Sequence, residues 1–150
     1  GSVRLFNDTA VAQEAPPDPM LAKVIQVSHG DEFEIMWRPP MPLRFSVRLN
    51  RVDTPFKDQP GGKEATEELA DLIYGKTVRI EFEDPEKPYQ DRSNRLIAYA
   101  HIGDKNVGVE MIRSGHAEFF TKYGEGKYAK AMKAAEDQAK AAKRGRWAVQ

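Results

Sequence analysis

The residues best suited to chemistry lie between Arg48 and Phe56, where a guanidinium precedes an aspartate–threonine–proline sequence. An arginine offers a rigid fork of N–H donors that matches a phosphate group, and it stays charged at neutral pH. Asp53 and, through its backbone carbonyl, Thr54 offer hard oxygen ligands of the kind that Ca²⁺ or Mg²⁺ prefers. These residues predict one corner of a metal-dependent phosphodiesterase site. Phe56 is apolar where that chemistry would be served by another carboxylate.

Two residues from other parts of the chain could complete this corner. Asp31 follows Gly30 in a predicted turn and adds a second carboxylate, while Arg95 opens a predicted strand and adds a second guanidinium. Two arginines on one phosphate would stabilise the charge of the transition state. Taken singly, each residue has a plainer interpretation, because aspartate often closes turns and surface arginine often forms ion pairs. The hypothesis depends on their combination.

The composition narrows the function classes. The chain has 150 residues, of which 40% are hydrophobic and 31% charged, as expected for one globular domain. It has no cysteine, which excludes disulfides, thiolate nucleophiles and cysteine-based zinc sites. No apolar run approaches the roughly 20 residues that span a bilayer, so a membrane protein is not expected. Lysine plus arginine balance aspartate plus glutamate at 23 each, so any affinity for phosphate must come from a local patch.

Hydrophobic periodicity places these residues on a small barrel. Alternating residues predict five strands, at about 20–27, 32–37, 43–52, 77–83 and 95–102. Apolar stripes predict three helices, at about 63–74, 106–115 and 125–143. This order indicates an α+β fold, mainly β: a five-stranded Greek-key barrel of the OB type with three helices.

The chain divides into a short lead-in and one domain. Residues 1–19 are polar and without periodicity, and Gly1 and Ser2 resemble a remnant of tag removal, so we expect a disordered lead-in. Residues 20–150 form the domain. The absence of cysteine leaves the compartment open, and a secreted or periplasmic location is favoured over a cytoplasmic one if a signal peptide was trimmed upstream.

The order of these motifs resembles the staphylococcal nuclease (thermonuclease) family over about residues 20 to 148. The matching pieces are Gly30-Asp31, Arg48-x4-Asp53-Thr54-Pro55, Asp91-x3-Arg95, Ala98-Tyr99, Asn106-Val107, Ile112-Arg113-Ser114-Gly115 and a final Ala- and Lys-rich helix ending at Trp147. Any one piece would be weak, whereas their combined order is specific.

The resemblance implies an OB barrel with three helices that cleaves DNA and RNA with Ca²⁺. Asp31 and Asp53 would bind the metal by their carboxylates, and Thr54 by its carbonyl. Arg48 would hold the scissile phosphate and stabilise the developing charge. Arg95 would act from the other side or neutralise the leaving oxygen. We expect the partner to be single-stranded DNA or RNA and the protein to be a monomer.

Departures from the family pattern concern the general base and the nucleotide-binding aromatics. Tyr123 falls where the family places an aromatic against the nucleotide, which fits stacking on a base and equally fits the packing of a loop. Phe56 stands where the family has the glutamate taken as general base. His29 replaces a residue that is usually acidic, and Ser93 and Thr121 stand where tyrosines are common.

Loss of the general base typically costs about 10²–10⁴-fold in rate. The candidates to replace it are Asp58, Glu64, Glu32 and His29. Two functions therefore compete: a calcium-dependent nuclease of weak or altered activity, and a catalytically degenerate module that binds nucleic acid or a protein partner without hydrolysis. A barrel that serves only protein interaction is a third, less favoured hypothesis.

Overall fold

The computed structural model describes residues 19–37 and 41–148. The predicted lead-in, apart from Pro19, lies outside these residues. The strands are β1 (Met20–His29), β2 (Glu32–Trp37), β3 (Leu43–Leu49), β4 (Val52–Asp53), β5 (Thr77–Glu81), β6 (Arg95–Ile102), β7 (Lys105–Asn106) and β8 (Glu118–Phe119). The helices are α1 (Gly62–Ile73), α2 (Val107–Arg113) and α3 (Ala129–Ala141), and a 3₁₀ turn spans Gly145–Trp147.

Five strands close into a barrel in the order β3-β2-β1-β5-β6. Neighbours in this order are antiparallel, and a parallel pairing of β3 with β6 closes the ring. Because side chains alternate across a strand, each strand sends every second residue into the core. Fully buried barrel residues include Val24, Phe33, Ile35, Val47 and Ala98. The predicted OB-type α+β fold is confirmed.

The helices cover the barrel with apolar faces that follow helical periodicity. On α1, Ala65, Leu69 and Ile73 recur every four residues and are fully buried. The Asn106 side chain caps α2 by accepting a hydrogen bond of 3.2 Å from the Val109 N–H. Within the described residues, none of the helices is long and apolar enough to cross a membrane.

Two elements differ from the sequence-based prediction. The predicted third strand breaks after Leu49, because Arg51 adopts a left-handed conformation at φ 66° and turns the chain into β4, which pairs with β8. The last helix starts at Ala129 rather than near residue 125. Tyr128 precedes it and packs edge-on against Tyr99, with ring centroids 4.8 Å apart. In both places, tertiary contacts override the local pattern.

The parallel seam between β3 and β6 sets the geometry of the two candidate arginines. Ser46 pairs with Arg95, and Arg48 pairs with Ile97. Because residues two apart on a strand share a face, Arg48 and Arg95 lie on the same face of the barrel, diagonal to each other across the seam. Barrel closure therefore brings together two residues that are far apart in the sequence.

Candidate active site

Arg48 is the centre of the polar cluster. Its Nη2 lies 3.2 Å from Asp53 Oδ1 and 3.4 Å from Asp31 Oδ2. The Thr54 N–H donates to the same Asp31 oxygen at 3.2 Å. The turn between β1 and β2 therefore supplies Asp31, the end of β4 supplies Asp53 and Thr54, and β3 supplies the guanidinium. The structure brings together four of the predicted site residues.

The surroundings of the Asp31 carboxyl disfavour its ionised form. Burial raises the pKa of its carboxyl above the usual range, and the Asp53 and Glu32 carboxylates raise it further. The Arg48 guanidinium and the Thr54 N–H lower this pKa but do not fully compensate. A carboxylate in this condition would be stabilised by an additional positive charge.

Arg95 is held by two carboxylates beside the Arg48 cluster. Its guanidinium lies 2.8 Å from Asp91 and 2.9 Å from Glu32. Although burial works in the opposite direction, the Arg95 backbone N–H and guanidinium lower the pKa of Asp91. Glu32 is also the strand partner of Arg48. Arg48 and Arg95, called the arginine clamp below, are thus fixed in position by separate sets of acids.

A cleft of about 610 Å³ opens in front of the arginine clamp. Its walls include Arg48, Arg95, Tyr89, Phe120 and Tyr123. Tyr123 is 72% exposed, and its ring stands edge-on to that of Phe120, with centroids 6.0 Å apart. The Arg48 guanidinium lies 5.6 Å from the centroid of Phe120. Tyr123 therefore reaches the cleft, as stacking on a base would require.

Sequence reasoning missed the aromatic residues Tyr89 and Phe120. Tyr89 is 59% exposed on the arm before β6, and Phe120 follows β8. Both line the cleft, whereas Ser93 and Thr121 stand at the positions where tyrosines were expected. The available signal for Tyr89 was its position, since an aromatic residue two positions before Asp91 in a polar segment indicates a contact with a ligand or with another part of the chain.

Phe56 does not line the cleft of the arginine clamp. It is 60% exposed, its ring lies 5.5 Å from that of His29, and it lines a separate groove rather than the cleft. Asp58 lines the same groove, and Glu64 lies in the first turn of α1. Among the contacts of the described residues, Glu32 is the one candidate replacement base that touches an arginine of the clamp.

The donor set fits a hard divalent cation with few protein ligands. Asp31 and Asp53 converge on one nitrogen of Arg48, and in the described part of the chain the Thr54 hydroxyl oxygen is buried without a hydrogen-bond partner. No group of three or more His, Cys, Asp or Glu side chains suited to a metal occurs among those residues. Two carboxylates and a backbone carbonyl suit Ca²⁺, which completes its coordination with water.

Comparison with known proteins points to nucleases. Residues 46–149 match the family model described as staphylococcal nuclease homologue. An uncharacterized endonuclease of Haemophilus influenzae is 29% identical over 101 residues, which are 67% of this chain and 53% of that protein. An uncharacterized endonuclease of Escherichia coli is 28% identical over 126 residues, covering 83% of this chain and 75% of that protein.

A plant protein extends the same likeness. A probable staphylococcal-like nuclease of Oryza sativa is 28% identical over 106 residues, which are 71% of this chain and 30% of that protein. The chain thus spans about half the length of the Haemophilus relative and less of the plant one. The family match covers the clamp, Asp53 and the three helices. The chain therefore belongs to the family of staphylococcal nuclease homologues.

Proposed function

We propose that this protein is a slow Ca²⁺-dependent nuclease that hydrolyses phosphodiester bonds of single-stranded DNA or RNA, leaving a 3′-phosphate and a 5′-hydroxyl. The observation that carries the proposal is the convergence of Asp31 and Asp53 on one nitrogen of Arg48, beside a cleft that Arg95 also lines. A module that only bound nucleic acid would have no need to concentrate two carboxylates next to a phosphate-binding arginine.

The chain's own residues would bind and orient the phosphate. Arg48 and Arg95 would donate N–H groups to its oxygens, and these bonds would strengthen as negative charge develops there. Tyr123 would stack on a base at the mouth of the cleft. Asp31, Asp53 and the Thr54 carbonyl would hold Ca²⁺, which when bound would supply Lewis acidity and offset the charge of the two carboxylates.

The site lacks the usual general base, the group that removes a proton from the attacking water. Phe56 has no basic group and its ring turns toward His29. Loss of a general base typically costs about 10²–10⁴-fold in rate, so cleavage should be slow but not absent. Glu32 is the first candidate to accept this proton, because its carboxylate lies 2.9 Å from Arg95 and therefore next to the phosphate that the arginine clamp would hold.

Phe56 also favours a second function, the binding of nucleic acid without hydrolysis. Phe56 is 60% exposed, which suits contact with a ligand better than catalysis. In that case the clamp would still bind the phosphate backbone and affinity would fall steeply with salt.

Cleavage of a labelled single-stranded DNA separates the two functions. The nuclease hypothesis expects cleavage in Ca²⁺ that EDTA stops and that the Arg48→Ala variant lacks. Salt-dependent binding with no Ca²⁺-dependent cleavage in the wild type would contradict the nuclease and support the binding module.

A further inference from the structure

A second groove, of about 990 Å³, lies outside the cleft. His29 and Phe56 form its aromatic part, and Lys57, Asp58, Lys63 and Thr66 are among its other lining residues. The two rings are tilted by 51° with centroids 5.5 Å apart. We call these two rings the His29–Phe56 platform. No role in the proposed chemistry accounts for it, although Phe56 stands where the family carries its base.

The backbone beneath the platform is fixed although the Phe56 ring is exposed. The Phe56 N–H donates to Gln59 Oε1 at 3.3 Å, and the Lys57 N–H donates to His29 Nδ1 at 3.1 Å. Gly62 packs so tightly beneath the loop that a Cβ there would lie 1.7 Å from the Phe56 carbonyl oxygen. An exposed aromatic on a pre-ordered backbone loses little conformational entropy when a ligand covers it.

Two hydrogen bonds connect the segments that carry the platform with those that carry the active-site carboxylates. Residues 29–31 and residues 54–57 contact each other at two points. The Thr54 N–H donates to the Asp31 carboxylate, and the Lys57 N–H donates to the His29 ring. Tyr123 and Phe120 line the cleft together with Arg48, whereas Phe56 lines the separate groove together with His29. A strand whose phosphate sits on the arginine clamp would meet Tyr123 in the cleft, and only if it continued past Asp31 and Thr54 would it reach the platform.

We propose that the His29–Phe56 platform is a nucleobase-stacking subsite of the substrate strand, on the carboxylate side of the scissile phosphate. Stacking on an aromatic face accepts any base, because every base has a π face. Lys57 and Lys63 line the same groove, but Asp58 and Glu67 line it too and balance their charge. Affinity at this subsite would therefore come from stacking on the rings. This inference rests on the proposed function, since it assigns a further part of the same substrate to this surface.

Affinity for single-stranded DNA in EDTA tests the subsite without cleavage. By fluorescence anisotropy with a labelled oligonucleotide long enough to cross both sides of the clamp, Phe56→Ala should weaken binding about fivefold or more. Phe56→Trp should retain the wild-type affinity, because it keeps an aromatic face. Tyr74→Ala is the matched control, since Tyr74 is 61% exposed at the end of α1, and it should leave affinity unchanged.

A base analogue locates the contact along the strand. With 2-aminopurine moved one position at a time, fluorescence quenching that depends on Phe56 should appear on one side of the position whose quenching depends on Tyr123. Quenching that depends on both residues at the same single position would overturn the two-sided arrangement.

Different results would contradict the stacking subsite and the nuclease activity. If the wild type cleaves DNA in Ca²⁺ and Phe56→Ala binds as tightly as Tyr74→Ala, the subsite is wrong and the nuclease stands. If the wild type neither binds nor cleaves single-stranded DNA, both are wrong. Melting curves of the variants should coincide with that of the wild type, because Phe56 is exposed.

Discussion

Two carboxylate clusters among the described residues, one around Glu81 and one around Asp31, differ in how completely their charge is neutralised. Glu81 accepts hydrogen bonds from Tyr128 at 2.6 Å and His101 at 2.7 Å, and Lys127 forms an ion pair with it at 2.9 Å. Although burial alone would raise the pKa of Glu81, these three partners lower it to about 2.

The Asp31 cluster is the opposite case. Asp31 and Asp53 share one nitrogen of Arg48 at 3.4 Å and 3.2 Å, and burial raises the pKa of Asp31. A carboxylate that is fully satisfied contributes to stability, whereas one with too few positive partners favours binding a further cation. The first cluster ties the start of α3 to the barrel, and the second is the better candidate for function.

Removal of Arg48 should produce the largest difference between the clusters. Arg48→Ala should lower kcat/KM for Ca²⁺-dependent DNA cleavage by at least about 100-fold, because a preorganised donor to the transition-state charge is lost. Lys127→Ala, which removes the cation of the Glu81 cluster, should leave kcat/KM within about twofold. Equal losses in both variants would show that cleavage depends on general stability rather than on the clamp.

Neutralising Asp31 should separate function from stability. We expect Asp31→Asn to lose about 100-fold in Ca²⁺-dependent activity while its melting temperature stays equal to or above that of the wild type. The asparagine oxygen can still accept the Thr54 N–H, and the unfavourable buried charge is gone. A melting temperature well below that of the wild type would mean that Asp31 is mainly structural.

Replacing Phe56 by glutamate tests the altered base. Phe56→Glu should raise kcat by about tenfold, which is less than the full contribution of a general base because residue 56 faces His29 rather than Arg48. The same change should raise KM, since it removes a face of the His29–Phe56 platform. Stopped-flow and steady-state assays would measure both constants, and an unchanged kcat would indicate that another group, Glu32 first, already accepts the proton.

The smallest effect is expected from the pH dependence of the Glu81 cluster. Glu81→Gln should lower the free energy of unfolding at pH 7 by about 1–2 kcal/mol, as for the loss of charged hydrogen bonds. Because the pKa of Glu81 is lower in the folded chain than in the unfolded one, this stabilisation is present above pH 4.5 and is lost as pH falls toward 2.

Urea unfolding of the wild type and Glu81→Gln at pH 7, 4 and 3 would measure that difference. The gap between the two proteins should shrink steadily as the pH falls. A gap that stays constant would mean that Glu81 acts through packing and not through its charge.

The barrel and the chemical types of the site residues could be predicted from the sequence. Alternation located all five barrel strands, and the spacing of Arg48, Asp53 and Thr54 gave their chemistry. The break after Leu49 was not predictable, because the left-handed turn at Arg51 is imposed by the pairing of β4 with β8, which lies far along the chain. The same holds for Phe56, whose direction follows from a contact with His29 that no local pattern encodes.

The partners of each carboxylate were also beyond sequence reasoning. In the sequence, Glu81 stands in an acidic run with Glu83, Asp84 and Glu86, a pattern typical of a solvated face. In the structure it is bound by residues that follow it by 20 to 47 positions. Pairings of this kind depend on strand register and helix docking, which a single sequence leaves undetermined.

The parallel pairing of β3 with β6 decides when the arginine clamp can form during synthesis of the chain. Arg48 and Arg95 become neighbours on one face of the barrel only after β6 has joined β3, and β6 is the last of the five barrel strands to leave the ribosome. A fragment that ends before Arg95 carries only Arg48 of the arginine clamp and lacks β6, the strand that carries the second arginine. Under the proposed function, cutting ability would appear at a single late step of folding, so incomplete chains would be harmless to the nucleic acid around them.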